Sequence, residues 1–273
     1  MDQVFDAPTD PHWPPPPAFA NGIVFRNFKA PVPAGLRPLR PSVAEARLPT
    51  DDWPFFYLQS PRIPSHYIPF LLIIVGLGSL SLLGLPGSQR RLNLPYFFMG
   101  AAFFLLETSN VVNLSLLFGS TWAVNVVVFL GILCLTLVGT LSASGRIGRL
   151  PAWSLFLALF ASLAVSYWLP ASALLGIESM ALRVAAASVI FLGPVFFAAV
   201  IFAQLIRGEE HLAQAYGSNL LGAVVGGACE YLSLAFGFHF LLRLAFLLYF
   251  LAFLTARNRG RTNAAPAITA TPR

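Results

Sequence analysis

The feature that most constrains this chain is a series of seven apolar runs, each closed by a short polar, glycine-bearing or proline-bearing break. They are Tyr67 to Leu85, ended by Pro86-Gly87; Pro95 to Phe118; Trp122 to Leu141; Ala152 to Leu169; Met180 to Ile206, carrying Pro194; Gly217 to Phe236; and Phe238 to Ala256. At about 1.5 Å per residue most of them reach across the roughly 30 Å hydrocarbon core of a bilayer. Composition agrees: 57% of the residues are hydrophobic and 10% are charged, where a soluble domain carries about 25% charged residues. The expectation is an all-α integral membrane protein of about seven transmembrane helices over residues 66–256. A proline-rich, largely irregular segment at 1–65 precedes them, and a disordered basic tail at 257–273 follows.

Several function classes are excluded early. A net charge of +6 invites a nucleic-acid reading, but the arginines flank apolar runs, which is the pattern of membrane topology rather than of a phosphate-binding face. Lys29 is the single lysine, so no late helix can carry a retinal Schiff base. Cys134 and Cys229 fall inside apolar runs and read as small buried hydrophobes. No CxxC, HxxxH or HExxH pattern occurs, so neither a metal site nor a cofactor is expected. The chain does not open on a charged-then-apolar secretion signal. Pro14 to Pro17 favours extended polyproline structure. The stretch 49–58 is too aromatic for a linker and looks like a docking segment at the membrane surface, with Asp51, Asp52, Trp53 and Phe55 as its contact residues.

Loop charge predicts the orientation. With seven spans, one side carries Arg90, Arg91, Arg146, Arg149, Arg207, Arg257, Arg259 and Arg261, and the opposite loops near Ser120, Gly176 and Gly237 carry almost none. The positive-inside rule places the first side in the cytoplasm, with the C-terminus, and the N-terminal segment in the periplasm of a bacterial inner membrane. Arg26, Lys29, Arg37, Arg40, Arg47 and Arg62 count against that assignment.

Polar residues inside the runs are the candidate functional groups. Glu107 lies near the middle of the second run, and Asn110 and Asn113 follow at steps of three, so all share an arc of about 120°. That face either binds a ligand or proton or serves interhelical hydrogen bonds. Ser218, Gly222, Gly226 and Glu230 recur every fourth residue, a small-residue stripe that lets another helix backbone approach. Asn219, near the start of that run, either caps the helix or joins the polar set. Glu230 lies about 10 Å and Arg243 about 8 Å from the outer ends of their runs, with Arg183 comparably deep. The three are expected to form a buried charge cluster, because a lone charge at that depth is unfavourable. Asn113 and Asn125 occupy the same outer half.

Three stretches resemble the membrane portion of the bacterial polytopic spermidine/spermine synthase-like proteins. They are Pro-Thr-Asp-Asp-Trp-Pro-Phe at 49–55; the run from Phe98 to Trp122, with Phe-Leu-Leu-Glu-Thr at 104–108 and Leu-Phe-Gly-Ser-Thr-Trp at 117–122; and Gly217 to Leu232. The resemblance spans roughly residues 48–254. Family members that transfer aminopropyl groups carry a Rossmann-like domain with a glycine-rich loop and catalytic acids, and nothing in this chain supplies them. Gly76-Leu-Gly78 lacks the required third glycine and a preceding strand. The resemblance therefore implies the membrane module without its enzyme.

Two functions follow as expectations. One is a non-catalytic membrane subunit that anchors or regulates a separate protein, motivated by 49–58 and the missing catalytic domain. The other is a carrier or channel for a small cation such as a polyamine, using Glu107, Glu230 and the asparagines. An enzyme ranks third, since no nucleophile–base pair is visible and no catalytic residue can be named. A cavity reaching Glu107 separates the first two: it favours transport, and a dry interior favours the subunit.

Overall fold

A backbone in hydrocarbon must satisfy its own amides, and the apolar runs do so as helices. The computed structural model describes residues 50–264 apart from 56, 57, 59, 81–90 and 120. The proline-rich stretch through Leu48, Pro86-Gly87, Arg90 and the last nine residues lie outside the described residues. The helices are α1 (Tyr67–Leu80), α2 (Leu94–Phe118), α3 (Trp122–Ser142), α4 (Ala152–Trp168), α5 (Met180–Ala187), α6 (Gly193–Arg207), α7 (Leu212–Glu230), α8 (Ser233–Phe236) and α9 (Phe238–Ala264). No strand occurs among the described residues.

Among the described residues five helical segments are long and apolar enough to cross a membrane: Leu94–Phe118, Val124–Ser142, Met180–Arg207, Leu212–Phe236 and Phe238–Arg259. This is the pattern of a multi-pass membrane protein. By length it gives five spans where the runs predict seven, because α1 has 14 described residues and α4 has 17. α4 stops where Pro170 forces Leu169 out of the helical region, at φ −95° and ψ 102°. The outward faces are apolar, with Leu72, Leu133 and Leu137 all more than half exposed. Water would not tolerate so continuous an apolar surface, whereas acyl chains solvate it. Trp122 and Trp168 stand exposed at one end of the bundle and Trp153 at the other, the levels where indole rings favour the lipid interface.

α2 is the central helix. It packs on α7 along one side and on α9 along another, while α3 and α4 pack on α6. The α2–α7 contact is backbone to backbone. A Cβ placed on Gly222 would stand 2.0 Å from the Phe97 carbonyl oxygen, one on Gly226 2.6 Å from that of Ala101, and one on Gly100 2.0 Å from that of Asn219. Ser218 is fully buried on the same stripe and accepts a hydrogen bond from the Asn93 amide at 2.9 Å.

The Met180–Arg207 segment contains one π turn, Ser188–Leu192, immediately before Gly193-Pro194. Pro194 has no N–H to offer the Ile190 carbonyl four residues earlier. Ser166 of α4 replaces that donor, its Oγ lying 2.6 Å from Ile190 O. Ser166→Ala removes this donor, and a fall of about 1 kcal/mol in unfolding free energy is expected in detergent. An unchanged melting curve would show that the carbonyl finds another donor.

Within the stretch 49–58, Asp52, Trp53 and Phe55 pack on their own chain. Trp53 is 1% exposed and its Nε1 donates to Leu234 O at 2.8 Å. Asp52 caps α9: its backbone oxygen accepts from the Phe238 amide at 2.8 Å, and Oδ1 lies 2.7 Å from both the amide and Nδ1 of His239. A carboxylate here meets the unpaired amides and the positive end of the helix dipole. Gly237, at φ 85°, makes room for it, since a Cβ would stand 2.5 Å from Asp52 Oδ2. Phe55 packs on Phe238 with ring centroids 5.4 Å apart, and Asp51 is exposed. The Trp53 and Phe55 rings are thus seated against α8 and the start of α9. A correction concerns the tail, which is helical from Arg257 to Ala264 as the continuation of α9.

Candidate functional site

One face of α2 carries Gly100, Phe103, Phe104 and Glu107 at helical spacing, and opens onto a cavity of about 250 Å³. Thr136 and Thr140 of α3, Ala198, Ala199 and Phe202 of α6, Asn219 and Ala223 of α7 and Tyr249 of α9 complete the walls. Small residues on three of these helices leave the space, and the close α2–α7 approach at Gly100 fixes its floor.

The cavity carries one carboxyl and no basic residue. Glu107 is half-buried, and among the described residues nothing hydrogen-bonds it or pairs with its charge. Tyr249 is fully buried and its hydroxyl has no partner. Thr136 and Thr140 spend their hydroxyl protons on Ile132 O and Thr136 O, each at 2.8 Å. Asn219 donates from Nδ2 to Tyr96 O at 3.1 Å. Asn219 is not a cap: α7 begins at Leu212, so this residue sits inside the helix. The lining therefore presents a carboxyl group and aromatic side chains to whatever occupies it.

The other polar candidates lie elsewhere. Asn110 is buried one turn outward from Glu107, with Nδ2 unpartnered; Asn125 on α3 has an unpartnered Oδ1; Asn113 is half-buried. None of the three lines the cavity. The expected charge cluster does not form. Glu230 accepts from Thr108 Oγ1 at 3.4 Å, Arg183 donates to the carbonyls of Ile177 and Leu175, and Arg243 is exposed with its guanidinium 5.6 Å from the Phe240 ring. Among the described residues the side-chain ion pairs are Asp52–His239 and Glu209–Arg259. Equal depth did not bring the three charges together because α7 and α9 each pack mainly on α2. Arg243 instead runs its stem along the apolar surface, and Arg183 satisfies the carbonyls of its own loop.

A second polar constellation, missed in the sequence, sits at the arginine-rich end. The Glu209 carboxylate, with its side chain 3% exposed, receives both Arg259 nitrogens at 2.6 and 3.0 Å and Asn93 Nδ2 at 3.2 Å. Burial alone would push the Glu209 carboxyl up; hydrogen bonds and charge from Arg259 outweigh it and hold the group below the ordinary carboxylate range. This network borders a cavity of about 690 Å³ that also touches Tyr96, Leu205, Glu210 and His211. Nearby, Arg207 donates to Ala143 O and, at 2.9 Å, to Ser144 Oγ, placing a cation at the C-terminal end of α3.

No protein-family model, curated protein or solved structure matches the chain. The fold and site define a class directly: a helical membrane protein with a carboxyl, unpaired among the described residues, facing a cavity between its helices.

Proposed function

We propose that this chain is a seven-span protein of the bacterial inner membrane that binds a small organic cation at Glu107, as a carrier or channel does. The observation that carries the reading is the Glu107 cavity, whose lining holds a carboxyl and no cationic residue. A lone carboxylate in hydrocarbon costs several kcal/mol, and a bound ammonium removes that cost. Phe103, Phe104 and Phe202 add ring faces that attract cations. About 250 Å³ lies below the roughly 300–1,000 Å³ of drug-sized sites, which suits a small amine. The resemblance to the membrane part of spermidine/spermine synthase-like proteins directs the choice to diamines and polyamines.

Helix connectivity supports the seven-span arrangement. α1 begins beside Tyr231, its Tyr67 ring 5.3 Å away, at the end where Asp52 docks. α2 begins at the opposite end, where Arg91 O accepts from Gln214. Arg146, Arg149, Arg207 and Arg259 gather at that second end, supporting a cytoplasmic C-terminus and a periplasmic N-terminal segment. The anchoring-subunit reading loses part of its motive, because Asp52, Trp53 and Phe55 are engaged within the chain.

The test is putrescine and spermidine binding to the detergent-purified protein by calorimetry. Glu107→Gln should weaken binding at least tenfold, about 1.4 kcal/mol, without lowering the melting temperature of the ligand-free protein. If neither amine binds the wild type, or both bind Glu107→Gln equally, the reading fails.

A further inference from the structure

The cavity at the arginine-rich end and the Glu107 cavity are neighbours along the same two helices. On α2, Pro95 and Tyr96 line the first, and Met99, Gly100 and Phe103 line the second. On α6, Leu205 lines the first and Phe202 the second. Between them Tyr96 and Phe202 meet edge to face, ring centroids 5.8 Å apart. We propose that the 690 Å³ cavity is the entrance to the Glu107 cavity, and that the Tyr96–Phe202 pair is the closed partition between them. This rests on the cation reading of Glu107 and gives that site its route of access.

Along the bundle axis the Glu107 cavity is bounded very differently at its two ends. Toward the opposite end of the bundle lie Asn110, Leu114, Leu117, Val128 and Ile132, all at most 7% exposed, so packed core blocks that direction. Toward the arginine-rich end the barrier is two rings. Tyr96 is held: it is 2% exposed and its carbonyl accepts from Asn219 at 3.1 Å. Phe202 is the freer ring. It is half-buried, it also meets the exposed Tyr216 ring at 5.8 Å, and it rides on the helix that follows the Ser188–Leu192 π turn and Pro194. Rotation of Phe202 toward Tyr216 opens the partition without breaking a hydrogen bond. The entrance itself is selective in the same sense as the site, since Glu209 and Glu210 outweigh Arg259 among its charged walls.

The test uses thiol labelling in membrane vesicles of both orientations. Cys134 and Cys229 are replaced by serine, and Ala198→Cys places a thiol on the cavity wall. Arg146→Cys marks the arginine-rich face and Gly176→Cys the opposite one. The probe is the impermeant trimethylammonium-ethyl methanethiosulfonate, with the sulfonate analogue as its anionic counterpart. Ala198→Cys should react only when the cationic probe is on the face where Arg146→Cys reacts. Phe202→Ala, or Phe202→Leu if the alanine variant does not fold, should speed that reaction at least tenfold. Reaction from the Gly176→Cys face or from both faces, no acceleration in either Phe202 variant, or no reaction of a thiol that labels after denaturation would each overturn the entrance. Equal rates for cationic and anionic probes with Glu107 intact would instead overturn the cation reading and leave the route standing.

Discussion

Gly222→Leu is expected to lower unfolding free energy in detergent by about 3 kcal/mol or more, the upper range for forcing atoms into a packed interface. For a chain of this size that corresponds to a fall in melting temperature on the order of 10 °C. The reason is the identity of the obstacle. A Cβ at Gly222 meets the Phe97 carbonyl oxygen at 2.0 Å, then the Phe97 carbonyl carbon and Cα. A side chain can rotate away, but a helix backbone cannot, so α2 and α7 must separate. Separation spreads along the seam, because Gly100 and Gly226 make contacts of the same kind one or two turns away. It also pulls Ser218 from the Asn93 amide and Asn219 from Tyr96 O. Gly76→Leu is the control, since nothing lies within 4 Å of a Cβ there. A wild-type melting temperature for Gly222→Leu, or an equal loss for Gly76→Leu, would show that the α2–α7 approach is not what holds the bundle.

Much of the helical layout was legible because a bilayer leaves the backbone few choices. An apolar run long enough to cross must be helical, and a small residue at every fourth position must face another helix; Gly222 and Gly226 could be read at that level. What the sequence does not carry is the angle of each helix about its neighbours. Glu230, Arg243 and Arg183 were assigned to one level by counting residues, and depth is a single coordinate. With α2 standing between α7 and α9, equal depth puts Glu230 beside Thr108 and Arg243 on the surface. Tyr249 is invisible for a different reason: in Leu-Leu-Tyr-Phe-Leu an aromatic reads as core, and only its buried hydroxyl, without a partner among the described residues, sets it apart. Glu209 escaped because loop charges were read for their sign across the membrane, which says nothing about who pairs with whom. The aromatic character of 49–58 was legible; its destination, a turn 181 residues away from Trp53, was not.

Glu209→Gln should be the second large effect, costing about 2 kcal/mol near neutral pH. Breaking a fully buried pair costs roughly 3–5 kcal/mol. The lower figure is taken here because Arg259 is 43% exposed, although Glu209 itself is 3% exposed and water screens one side of the pair. The substitution leaves Arg259 with a neutral acceptor and withdraws the charge that ties α9 to the α6–α7 connection and, through Asn93, to the start of α2. The effect has a pH signature. Burial works against the Glu209 anion, but the hydrogen bonds and charge of Arg259 prevail, so the folded carboxyl titrates below its unfolded value of about 4.3. The folded state then binds fewer protons than the unfolded state through that range. Its stabilisation is complete above the unfolded value and is lost as pH falls through the folded one. Wild type should therefore exceed Glu209→Gln in melting temperature at about pH 7, and the gap should narrow at about pH 3.5 as the wild-type carboxyl approaches protonation. Arg259→Gln should reproduce the loss at neutral pH, since it removes the partner rather than the carboxylate. A gap of the same size at both pH values would mean that Glu209 acts through shape alone, and no gap at neutral pH would mean that the pair does not fasten α9 to the bundle.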